Sequence, residues 1–110
     1  MIKFDKNSNF KEIVDNNKLV FFDFRLKDCS RCDTLEQEIE EYLKTNDLLI
    51  YSVSVEDNMK LVRSLNIYAA PCLMMYYNHK LYYRNLGTFK FSEFVDKINE
   101  IELWNSIFFL

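Results

Sequence analysis

Apolar positions along the 110-residue chain change period repeatedly, and each change predicts an element. IKF at 2–4 reads as a short first strand. Asn9 with Glu12 three residues later marks a helix start, and Phe10, Ile13 and Val14 supply its apolar stripe. KLVFFDF at 18–24 is apolar at successive positions, as in a strand buried on both faces. Leu35, Ile39, Tyr42 and Leu43 fall at i, i+4, i+7 and i+8 and predict an amphipathic helix ending near residues 44–46. LLIYSVSV at 48–55 is another strand, and Asp57 is the expected cap of a short helix carrying Met59, Val62 and Leu65. Pro71 opens the strand of IYAAPCLMMYY, NHK at 78–80 is a turn, and LYYRNL pairs back antiparallel until Gly87. A last helix from about Lys90 carries Phe91, Phe94, Val95, Ile98 and Ile101 on one side.

The order β-α-β-α-β-α-β-β-α predicts an α/β fold: helices on both faces of a central mixed sheet of four to five strands. That sheet is expected to be largely parallel, with an antiparallel edge from the final hairpin. With no linker, repeat or low-complexity segment, residues 1–110 read as one domain. The tail at 103–110, LWNSIFFL, is apolar to its end. It reads either as packing on the domain's own core or as a dimer or partner surface.

Charge narrows the function classes. A net charge of −3 with no dense Lys/Arg block argues against nucleic acid. No apolar run reaches the roughly 18–20 residues that span a bilayer. The start, MIKFDKNSNF, lacks the apolar segment of a signal peptide. A cytoplasmic protein is expected, and there a Cys-x-x-Cys is more often catalytic or metal-binding than a structural disulfide.

That motif is Cys29-Ser30-Arg31-Cys32, following a strand and opening a helix. In this place the first thiol meets the free N–H groups and positive end of the helix, which favour thiolate. The second lies one turn inside, within reach but less exposed, so one cysteine can attack and the other resolve. Arg31 strengthens the positive field, while Asp28 and Asp33 oppose it. Two other readings stay open: structural thiols, or a metal or iron–sulfur ligand set from Cys29, Cys32 and Cys72. His79 does not complete a zinc site, because a strand of six residues sets it roughly 20 Å from Cys72. Six residues before Cys29, Asp23 interrupts a run of phenylalanines. Burial there raises a carboxyl's pKa toward neutrality and suits it to move a proton to or from Cys32.

An acid at this distance inside an apolar strand, Cys-x-x-Cys at a helix start, a later Ala70-Pro71 opening a strand, and Gly87 closing the hairpin together resemble the thioredoxin family across nearly the whole chain. The extra strand and helix before Lys18 and the lack of a Gly-Gly pair after the proline strand separate it from glutaredoxin. The resemblance implies a thioredoxin fold with Pro71 cis beside Cys29, and Ala70 offering backbone groups to an extended substrate, with Ser30 and Arg31 alongside. It implies a protein disulfide reductase that needs no cofactor of its own, acts on disulfide-containing proteins and is reset by a thioredoxin-reductase-type enzyme. The chain departs from the family in four places. Asp28 replaces the Trp before the first cysteine, Ser30-Arg31 replaces Gly-Pro, Ser52 replaces the lysine facing the buried acid, and Cys72 replaces Thr. Cys72 reads as a small buried residue or as a third redox or ligand position. A rival from another class is a non-catalytic interaction module using the tail or the Ala70–Pro71 groove.

Overall fold

In the computed structural model, which describes residues 1–87 and 89–108 and side chains as far as Leu103, the elements follow the predicted order. They are β1 (Ile2–Lys3), α1 (Phe10–Asn16), β2 (Leu19–Arg25), α2 (Ser30–Leu43), β3 (Ile50–Ser54), α3 (Met59–Ser64), β4 (Cys72–Tyr77), β5 (Lys80–Leu86) and α4 (Phe91–Phe108). Asn9 caps α1, its side-chain oxygen accepting the Glu12 N–H at 3.0 Å. The cap of α3 is Asn58 rather than Asp57, and it makes no side-chain cap bond. Both residues are engaged by the preceding turn: the Asp57 N–H donates to Ser54 Oγ and Asn58 Nδ2 to the Ser54 carbonyl.

The strands form one sheet in the order β1-β3-β2-β4-β5. β2 pairs parallel with β3 and antiparallel with β4, and β5 turns back on β4. Antiparallel pairing therefore begins inside the sheet, at β2–β4, and not only at the final hairpin as expected. β3 and β4 flank the same strand but run in opposite directions, so the connection through α3 is not the crossover that joins parallel strands.

β2 is central, and Val20 through Phe24 are all fully buried. Successive side chains alternate between faces. Val20, Phe22 and Phe24 join the core under α1 and α3 with Val14, Val53 and Val62. Phe21 joins the core under α2 and α4 with Leu35, Ile39, Phe94 and Ile98. Burying each phenylalanine stabilises by roughly 1.5–3 kcal/mol. The same alternation turns Asp23 toward α2.

Candidate active site

The β2–α2 junction builds the site. Asp28 takes a left-handed backbone, φ 52°, which aspartate tolerates better than most side chains. The chain then re-enters extended geometry at Cys29, the N-cap of α2, whose Sγ accepts the Cys32 N–H at 3.2 Å. Cys29 and Cys32 are joined by a disulfide with Cα atoms 5.2 Å apart. Cys29 is part-exposed; Cys32 is fully buried. One sulfur faces solvent and the other faces the core.

On the α2 side of β2, Asp23 is wholly buried, and neither carboxylate oxygen has a hydrogen-bond partner among the described residues. Burial pushes its pKa up to about 7, with the Arg25 guanidinium pulling weakly the other way. Asp23 lies opposite Ser52 of β3 and Leu73 of β4, so neither neighbouring strand offers it a cation. Arg25, two residues along on the same face, is committed to ion pairs with Asp33 and Glu36 of α2. Arg25 and Ser52 both line a cavity of about 410 Å³. The sequence reading passed over Arg25. The signal was its parity with Asp23 in β2, which sets both on the α2 side.

On the other side of the pair the Ala70–Pro71 peptide bond is cis. The Pro71 carbonyl accepts the Gly87 N–H at 2.7 Å, and Gly87 takes a left-handed φ of 76°. A groove of about 200 Å³ runs between Ser30, Arg31, Thr34 and Glu38 of α2 and Pro71, Gly87 and Phe89. Ala70 is part-exposed next to it but does not line it. Glu38 and Phe89 also escaped the sequence reading, although Arg31, Thr34 and Glu38 stand at i, i+3 and i+7 on one helical face.

Cys72 is fully buried, unbonded, and paired across the sheet with Phe24. Its side chain packs in the α1–α3 core with Phe22, Phe24 and Met74. Cys32 and Asp23 lie on the α2 side. Burial pushes the Cys72 thiol up to about 12. Among the described residues no three His, Cys, Asp or Glu side chains are grouped to hold a metal ion. His79 sits in the β4–β5 turn with Nδ1 2.9 Å from the Val14 carbonyl oxygen. Leu103 is exposed, and the tail's expected packing or dimer contacts beyond it lie outside the described residues. No described helix is long and apolar enough to cross a membrane.

The thioredoxin family model matches residues 1–100. Comparison with curated protein sequences finds no match. Among solved structures the fold is shared with a Schistosoma mansoni thioredoxin (TM-score 0.79, 23% identity, covering 90% of this chain and 95% of that one). It is shared also with the oxidised thioredoxin of Plasmodium falciparum (0.76, 24%, covering 88% and 96%). A thioredoxin variant of Halobacterium salinarum gives 0.78 at 18% identity, covering 90% and 88%.

Proposed function

The chain belongs to the thioredoxin family, and from that premise we propose that it is a protein thiol–disulfide oxidoreductase working through Cys29 and Cys32. The observation that carries this reading is the asymmetry of the pair: a part-exposed sulfur at a helix N-cap, bonded to a buried sulfur on the same side of the sheet as an unpartnered acid. In the reduced protein Cys29 attacks, as thiolate, one sulfur of a substrate disulfide. A mixed disulfide forms, the substrate S–S bond breaks, and the departing sulfur takes a proton. Cys32 gives its proton to Asp23 and attacks Cys29 Sγ; the second substrate sulfur leaves as a thiolate and takes a proton from solvent. Two electrons have passed from the dithiol to the substrate, and the protein is left as the Cys29–Cys32 disulfide. A thioredoxin-reductase-type enzyme, in a cytoplasmic setting, restores the dithiol.

Asp23 suits its role because a carboxyl titrating at about 7 both accepts and returns a proton near neutrality. Ala70 and cis-Pro71 bound the place of the substrate backbone, and Ser30 and Arg31 line the groove. Cys72 is assigned a packing role, supported by its place in the opposite core. The test is single-turnover reaction of pre-reduced protein with a disulfide peptide, followed by mass spectrometry. Wild type is expected to yield two peptide thiols and the oxidised protein, Cys32→Ser to stall as a covalent adduct, and Cys29→Ser to be inert. Undiminished turnover by Cys29→Ser would overturn the assignment and favour a non-catalytic module.

A further inference from the structure

Helix α2 carries six charged residues, and four have partners. Asp33 and Glu36 pair with Arg25, Glu40 with the Met1 amino group, and Glu41 with Lys44. Arg31 and Glu38 alone have no ion-pair or hydrogen-bond partner among the described residues. These two line the groove beside the disulfide, opposite Pro71 and Gly87. They stand seven positions apart in the helix, which sets them on one face and about 10.5 Å apart along the axis. An extended chain covers that distance in about three residues.

We propose that this groove reads charge at two points: it takes an extended substrate segment with an acidic side chain beside the attacked cysteine, against Arg31, and a basic side chain about three residues further along, against Glu38. The proposal rests on the disulfide-exchange reading above and specifies its substrate class. Two unpaired, opposite charges at fixed spacing favour one arrangement of substrate charges and repel the reverse. A charge-blind groove has no reason to keep both heads free while every other charge of α2 is tied down.

The test compares two peptides in single-turnover reaction with pre-reduced protein. Each carries one cysteine, disulfide-bonded to a chromogenic thiol. One has Asp beside the cysteine and Lys three residues further; the other has these charges exchanged. Each pair is made with the charges N-terminal and C-terminal of the cysteine. At low ionic strength the Asp-proximal peptide is expected to react on the order of tenfold faster in one chain direction, from two exposed charge contacts acting together. The ratio should fall toward unity near 1 M salt. In the double variant Arg31→Glu/Glu38→Arg the preference should invert, and because it is a ratio, altered thiol reactivity cancels. Equal rates in both directions, or a preference unchanged in the double variant, overturn the charge reading and leave disulfide exchange standing. No reaction of wild type with any peptide overturns both. Should the double variant fail to fold, the wild-type ratio and its salt dependence still decide.

Discussion

Gly87 shows how one backbone angle reaches the site. A Cβ there would meet nothing within 4 Å, so the requirement is the left-handed φ of 76° and not space. Gly87→Ala is expected to cost about 1–2 kcal/mol in urea denaturation; a neutral result would mean that the turn relaxes freely. Cys72 makes the opposite case, a residue whose chemistry is silenced by its surroundings. With its thiol pushed up to about 12, the oxidised protein should show no thiol to a pH 8 colorimetric assay until it is unfolded, and then one. Reaction at the full rate of a free thiol in native protein would contradict that burial. At this scale the sequence was legible wherever a residue broke a local pattern. Asp23 among phenylalanines and Cys29-x-x-Cys32 at a helix start are such breaks. Arg25 and Glu38 break none; their importance comes from what α2 and the Pro71 segment bring next to them, which only the folded chain supplies.

At the scale of elements, Arg25 ties β2 to the first turns of α2 through Asp33 and Glu36, and it is also the cation that opposes the rise in Asp23's pKa. Arg25→Gln should therefore move the Asp23 carboxyl further above 7, seen as a shifted midpoint in a carbon NMR titration of that group. An unchanged or lower midpoint would show that its charge does not reach the acid. The elements themselves were readable from period and length, because a continuous apolar run such as β2 has no other place than the centre of a sheet. The direction of β4 was not. Hydrophobic period says which residues are buried but nothing about which way a strand runs; that depends on the path through α3 to Pro71. The α3 cap was misplaced for a similar reason: the turn after β3, held by the Asp57 N–H and Asn58 Nδ2 on Ser54, sets the helix start one residue later than the apolar pattern suggests.

For the molecule as a whole, Asp23 ties stability to pH. In the unfolded chain its carboxyl titrates near the ordinary 3.8, in the fold at about 7. Below pH 4 both states hold the proton and no difference arises. Between those values the fold keeps a proton that the unfolded chain has lost, so stability falls as pH rises. Above about 7 both are ionised and the loss is complete, roughly 4 kcal/mol. Asp23→Asn should flatten this slope, so its stability relative to wild type should improve from pH 4 to pH 8 in urea titrations of the oxidised protein. Parallel profiles would show that the acid is not held neutral by burial. The same variant should slow release from the mixed disulfide by on the order of a hundredfold, so the group that weakens the fold at neutral pH is the one the proposed chemistry uses.

Three cysteines allow three ways of forming one bridge, yet only one is open to the folded chain. β2 and β4 stand as a wall between the Cys72 side chain and the α2 compartment. In the proposed cycle between dithiol and disulfide, no bystander sulfur is placed to capture the intermediate. A one-residue insertion between Pro71 and Cys72 would exchange the faces of β4 and remove that insulation.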